Sequence, residues 1–183
     1  MGCEKDKEFY NRVYSTEEKY ADNYKELPYY PVFLVAKGMI GEIENPRIIE
    51  LGCGTGQFAQ MLWDNGFKEY LGIDLSERAI HNARMMSPQA FEVEDIRSYV
   101  VDAEKFNTIV ALEVFEHIKY DLEMLGGLPS GISIIFSLPT FDGPGHVRFF
   151  KRKEDIEVRY SEQVDIQEIV KYQHWHIVKG VVR

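Results

Sequence analysis

Two cysteines in 183 residues, Cys3 and Cys53, make neither a disulfide framework nor a cysteine–metal framework. No metal is expected on that ground, and a reducing, cytoplasmic setting is. No apolar run approaches the ~18 residues of a membrane span, so no membrane partner is expected. The opening MGCEKDKEFY lacks the apolar stretch of a secretory signal. Asp6 stands where the myristoylation pattern asks for Ser or Thr. Positive charge is also short, with 21 Lys and Arg against 30 Asp and Glu and a net charge of -9. That balance argues against a nucleic-acid partner held through its phosphates. No repeat and no low-complexity linker divides the chain. At 45% hydrophobic and 28% charged, residues 1–183 read as one globular domain large enough for a sizeable core.

Residues 6–26 are polar and tyrosine-rich. Tyr10, Tyr14, Tyr20 and Tyr24 recur at spacings that roughly suit one side of a helix. VFLVAKGMIGEI, just after Pro31, predicts a second helix ended by Pro46. Strands and helices then alternate. RIIEL, EYLGID, AFEVED, FNTIVAL and GISIIFSL read as strands. QFAQMLWDNG is a helix stopped by Gly66, and SERAIHNARMM is one capped by Ser76. FEHIKYDLEML is a third, stopped by Gly126 and Gly127. EQVDIQEIVKYQ and HWHIVKGVVR look like two strands of an antiparallel hairpin at a sheet edge. The expected fold is α/β: a Rossmann-like, doubly wound sheet, mostly parallel, with an antiparallel C-terminal edge hairpin. Residues 1–45 would form a helical lid and residues 46–183 the cofactor-binding core.

The glycines of IIELGCGTGQFAQ follow the first strand of this unit, where open α/β sheets bind ligands. Lacking Cβ atoms, they let backbone approach a ligand, and the next helix aims its N–H groups at the same spot. The spacing is G-x-G-x-G, and Gln57 stands where the dinucleotide fingerprint needs its third glycine. Glu50 precedes the loop and Asp74 ends the next strand. A carboxylate at Asp74 suits a ribose of either a nicotinamide or an adenosyl cofactor. Asp95, after the third strand, could accept from an adenine amine, although Asp is also a turn former there.

ELGCGTG, GIDLS, VEDI and FNTIVALEVFEHI stand in the order and spacing of the class I S-adenosylmethionine-dependent methyltransferases. The resemblance covers about residues 46–140. LEVFEHI is similar to the small-molecule branch, of the quinone-biosynthesis type. It implies S-adenosyl-L-methionine as cofactor and methyl transfer to an oxygen or nitrogen. Glu50, Gly52, Cys53, Gly54 and Gly56 would line its methionine part. Asp74 would hold the ribose beside Leu75, Asp95 and Ile96 would frame adenine, and Leu112 and Glu113 would lie near the sulfonium. Glu113 could otherwise be a solvated acid at a helix start.

For the acceptor, His117 and His146 are candidate general bases, because histidine titrates near neutrality. Arg148 among phenylalanines suggests an acceptor pocket in residues 141–150. The family's N-terminal segment closes over the cofactor, which makes Tyr24, Tyr29 and Tyr30 candidates to face the sulfonium or the acceptor. ALEVFE is not the Asn/Asp-Pro-Pro-aromatic motif of amide and base N-methylation, and no Pro-Cys nucleophile is present. A small-molecule acceptor is expected. Alternatives are a protein or tRNA acceptor, or a non-catalytic cofactor-binding partner subunit.

Overall fold

A computed structural model describes residues 2–17 and 22–183. Its frame is a seven-stranded sheet ordered β3-β2-β1-β4-β5-β7-β6. The parallel strands are β1 (Ile48–Leu51), β2 (Tyr70–Asp74), β3 (Ala90–Val93), β4 (Thr108–Ala111) and β5 (Ser133–Pro139). β6 (Val164–Tyr172) and β7 (Trp175–Val182) form the antiparallel hairpin, with β7 against β5 and β6 at the edge. β1 lies between β2 and β4, so the chain reverses its direction of travel across the sheet there. That switch point opens a crevice beyond the strand ends.

Period-two alternation sends neighbouring strand residues to opposite faces. Ile48, Val110, Ile135 and Ile177 pack one face against α2 (Tyr30–Gly41), α3 (Gln57–Asp64) and α4 (Glu77–Met86). Ile49, Ile109, Ile134 and Val178 pack the other against α5 (Asp121–Gly126) and α6 (Lys153–Tyr160). Both faces are covered, which is why β1, β4 and β5 read as unbroken apolar runs. Ser76 caps α4 as expected, its hydroxyl accepting from the Ala79 N–H at 3.1 Å.

Four elements depart from the sequence reading. The tyrosine-rich helix is short: α1 (Lys7–Thr16) carries Tyr10 and Tyr14, whereas Tyr24 begins a separate 3₁₀ turn, Tyr24–Glu26. Tyr20 lies outside the described residues. α2 ends at Gly41 rather than at Pro46. Beyond it Glu42 and Glu44 would place negative charge at a helix C-terminus, and Asn45 turns the chain through φ 47. The helix expected from Phe115 begins only at Asp121. Arg148 takes the carbonyls of Phe115 and Ile118, which a helix there would need for itself. α6 was not anticipated. It is polar nearly all round and buries Ile156 and Tyr160, one turn apart.

Candidate functional site

The loop after β1 is held in a shape that only glycine adopts readily. Gly52, Gly54 and Gly56 have φ of +74, +52 and +79. A Cβ on Gly52 would lie 2.7 Å from Val114, and one on Gly56 2.9 Å from Ala83 of α4. The Gly54 N–H donates to Asp74 Oδ2 at 3.0 Å, and the Ser76 N–H donates to Oδ1 at 2.9 Å. Asp74 therefore clasps the loop to the end of β2 and starts α4. Burial pushes its pKa up to about 6, against the lowering effect of those two bonds. Glu50 is buried beneath the loop and accepts from the Tyr70 hydroxyl. Burial lifts Glu50 to about 8, with the Tyr70 bond opposing and Asp74 adding to the rise. Cys53 is buried in the core face of α2 and α3, and the Thr55 hydroxyl is buried without a hydrogen-bond partner among the described residues.

Leu75 and Ile96 are half-buried, and Ile96 packs on the face that α5 and α6 cover. Asp95 is exposed and accepts from the Arg97 N–H at 2.9 Å, the turn-forming role open to it from sequence. Gln57 donates its amide to the Asp22 carbonyl at 3.2 Å. That bond ties the chain ahead of α2 to the position where a dinucleotide site would need glycine.

The N-terminal segment crosses the strand ends as a strap. The Gly2 N–H donates to the His146 carbonyl at 2.7 Å. Glu4 meets Arg97 at 3.0 Å and the Lys119 N–H at 3.2 Å. Asn11 accepts from the Ser76 hydroxyl at 2.6 Å, and Lys7 pairs with Glu77 at 2.7 Å. Tyr14 faces the glycine loop: its hydroxyl would be 3.4 Å from a Cβ on Gly54. Tyr24 does not face the cleft. It is buried against α2 and α3, with its hydroxyl on Asp64 at 2.9 Å, and Tyr30 packs beside it at 6.0 Å. Tyr29 instead reaches Trp175, with ring centroids 5.7 Å apart.

Past β4 the chain carries Leu112, which is buried, and then Glu113, whose φ is 57. Glu113 is not a solvated helix-start acid. Its carboxylate accepts from the Ser137 hydroxyl at 2.7 Å and the Trp175 indole N–H at 2.9 Å. Burial raises its pKa against those bonds. Next come Glu116, fully buried, and His117. The Val147 N–H donates to the Glu116 carbonyl at 2.7 Å, which brings the loop 139–150 alongside. The His117 and His146 rings stand 5.0 Å apart at 76°.

Both imidazoles point Nδ1 at a carbonyl, His117 at Gly145 and His146 at Phe141, each at 3.3 Å. A carbonyl only accepts, so each Nδ1 carries a proton toward it. Burial, aided by His146, lowers His117 to about 4, so it is neutral at physiological pH and a weak base. The expectation of a base titrating near neutrality does not hold for His117.

Arg148 is not an acceptor-binding cation. Its side chain is 13% exposed and pairs with Asp121 at 2.9 Å, while donating to the carbonyls of Phe115, Ile118 and Lys119. Asp121 also holds Arg159 and the Tyr160 hydroxyl. Sequence reasoning missed Asp121 and Glu116. The available signal was an acid inside the apolar run LEVFEHI, next to a histidine.

A methyltransferase-domain family model matches residues 16–127. A malonyl-[acyl-carrier protein] O-methyltransferase of Paenibacillus is 27% identical over 119 residues, 57% of this chain and 42% of the relative. A ubiquinone biosynthesis O-methyltransferase of Alkalilimnicola ehrlichii is 31% identical over 86 residues, 43% of this chain and 34% of the relative. The matches thus span less than half the length of either relative. Magnesium protoporphyrin IX methyltransferase from Synechocystis, solved with bound S-adenosylhomocysteine, superposes with a TM-score of 0.70 at 12% identity over 97% of each chain. The chain belongs to the methyltransferase-domain family, and its sheet is that of the class I S-adenosylmethionine-dependent methyltransferases.

Proposed function

We propose that this chain transfers a methyl group from S-adenosyl-L-methionine to an oxygen of a small-molecule acceptor. The observation that carries the reading is the glycine loop with three left-handed residues clasped to the buried Asp74 carboxylate. The group fits these residues. A Cβ on Gly54 would lie toward the strap rather than into packed core, and Thr55 offers a buried hydroxyl without a partner among the described residues. Asp74 would hold the ribose between Leu75 and the loop. Glu50 and the loop would hold the methionine part, with Asp95 and Ile96 on the adenine side. The bound cofactor supplies an activated methyl on a positively charged sulfur.

The chain's own work is alignment and exclusion of water, since holding reactants in register can contribute ~7–11 kcal/mol. The strap carrying Tyr10 and Tyr14 covers the cleft and excludes water. Glu113, anchored on β5 and β7, fixes the backbone beside the transferable methyl. The acceptor would lie between residues 113–117 and the loop 141–150, beside the paired His117 and His146 rings. The oxygen of the acceptor is suggested by the two curated relatives, both named O-methyltransferases.

Calorimetry with S-adenosylmethionine and with NAD tests the cofactor, and binding of NAD alone would overturn the reading. Asp74→Ala should raise the S-adenosylmethionine dissociation constant at least ~10-fold, because a hydrogen bond to a charged group contributes ~1.5–3 kcal/mol. It should also lower the melting temperature, since the Gly54 and Ser76 N–H groups lose their acceptor.

A further inference from the structure

In a chain of net charge -9, Lys151, Arg152 and Lys153 follow one another where α6 begins. Lys171 and His176 stand opposite each other across the β6–β7 hairpin and so share one side of the sheet. Period two puts Ile169 and Val178 on that same side, the one that α6 covers. The Phe150 N–H donates to the Pro139 carbonyl at 2.9 Å, which delivers the basic run to the end of β5, beside the hairpin. Between α6 and the hairpin lies a groove of about 220 Å³, lined by Ile169, His176 and the four cations.

Among the described residues no carboxylate pairs with Lys151, Lys153 or Lys171. Arg152 is shared with Asp155 at 2.6 Å, and Glu154 is the acid that lines the groove. α6 begins without a side-chain cap, and its leading positions Arg152, Lys153 and Glu154 all border the groove. Its first N–H groups and the positive end of its dipole therefore open there. His176 is 2% exposed, and neither ring nitrogen closes a hydrogen bond among the described residues. Burial, and after it the Lys171 ammonium, hold its pKa below the ordinary value, although the nearby backbone of Phe150 and Lys151 draws it up. The ring is thus neutral and presents one buried N–H. A buried donor without an acceptor costs free energy, and an anion in the groove would supply the acceptor.

We propose that this groove binds one phosphate group, free or as the monoester of a small molecule. Unpaired ammonium groups, an uncapped helix start and a buried imidazole N–H are all donors, and they converge from three elements of the fold. That set suits a multiply charged oxyanion with several acceptor oxygens. A single carboxylate would leave most of the positive charge unanswered. Pockets that enclose drug-sized ligands measure ~300–1,000 Å³, so the groove holds one ionic group rather than a whole cofactor. S-adenosylmethionine carries no phosphate, so this groove is no part of the cofactor cleft. The site goes beyond the methyl-transfer reading and does not rest on it.

The probes are inorganic phosphate and phenyl phosphate, each titrated by calorimetry into the full chain at one fixed chloride concentration. The expected result is one site per chain with Kd at or below ~1 mM. Equal affinities support a site that reads the phosphate alone, and a tighter phenyl phosphate supports a monoester ligand. Lys171→Ala should weaken either probe about 10-fold, since hydrogen bonds between charged groups are the strong ones. Lys171 is exposed, so the fold should survive, and circular dichroism checks it. His176→Phe keeps a buried ring without its N–H and should weaken binding in the same direction. Glu154→Gln should tighten binding roughly 2-fold by removing a like charge from the lining. No saturable binding of either probe below ~10 mM, or affinity unchanged in folded Lys171→Ala, would overturn the site. Asp74→Ala separates the two proposals: it should keep phosphate affinity while losing S-adenosylmethionine.

Discussion

At one end of the cleft the key bond joins residues 20 apart, the Gly54 N–H and the Asp74 carboxylate. At the other, Glu113 reaches Ser137 24 residues on and Trp175 62 residues on. The first end is a single strand–loop–helix–strand unit whose glycines and acids occupy fixed places along the chain. The second is assembled from three strands, a loop and the strap. A local unit can write its geometry into a motif, whereas an assembled one depends on side chains that meet only after folding. The same contrast appears in how charge is handled. Asp74 is answered by two backbone N–H groups, while the buried Glu116 carboxyl lies beside a second acid, Glu113, which adds to the rise that burial gives it.

If the acceptor end is held by its long-range clamps, breaking one should cost more stability than any change in the strap. Arg148→Ala removes a buried guanidinium from Asp121, which is fully buried, and frees the carbonyls of Phe115 and Ile118. Breaking a buried pair by deleting one partner costs about 3–5 kcal/mol. Arg159 still pairs with Asp121, so the lower half of that range is expected. Urea unfolding measures it. An unchanged midpoint, with a raised KM for the acceptor, would instead return Arg148 to the substrate-binding role first read from sequence.

The acceptor end was the less legible part for this same reason. ELGCGTG, GIDLS and the Ser76 cap state their roles within a few residues, and the hairpin declares itself by length and alternation. Nothing near Phe115 in the sequence says that an arginine from the loop after β5 will take its carbonyl and unwind the expected helix. α6 escaped notice because its buried residues, Ile156 and Tyr160, are too few to mark an apolar face. Tyr24 and Arg148 were read as cleft residues by residue type, and both proved to be spent on buried partners, Asp64 and Asp121.

The buried acids of the cleft and His117 should respond to pH with opposite signs. Glu50 rises from 4.5 to about 8 on folding and Asp74 from 3.8 to about 6, so the native state holds more protons than the unfolded chain in those windows. Stability then falls as pH rises through them. Glu113 and Glu116 are raised too and act in the same direction. His117 drops from 6.5 to about 4, so the native state holds fewer protons there, and stability rises with pH across that interval. The opposing slope of His117 ends near pH 6.5, leaving a net decline toward pH 8. Glu50→Gln should remove up to ~1.4 kcal/mol per pH unit of that decline, the limit for one proton. Unfolding free energies at pH 6.5, 7.2 and 8 decide the matter, and identical slopes in parent and variant would place the cofactor-end charge elsewhere.

The smallest effect concerns the strap that spans both ends. α1 buries no residue fully, so polar contacts and the half-buried Tyr10 and Tyr14 hold it down. Asn11 makes the innermost of those contacts, to the Ser76 hydroxyl and at 3.3 Å to the Arg78 N–H. A net hydrogen bond is worth about 0.5–1.5 kcal/mol, so Asn11→Ala should favour local opening by roughly 2- to 13-fold for each bond lost. Native-state hydrogen exchange should show that increase in the amides of α1, with β1 and β4 unchanged, because the core does not depend on the strap. Lys7→Ala should do less, since exposed pairs such as Lys7–Glu77 contribute about 0–1 kcal/mol and weaken with salt. If Asn11→Ala instead speeds exchange in α1 and in β1 and β4 together, the strap opens only with global unfolding and cannot admit a cofactor on its own. If it speeds α1 alone, the cleft opens from the N-terminal side, and both ends become accessible through one local motion.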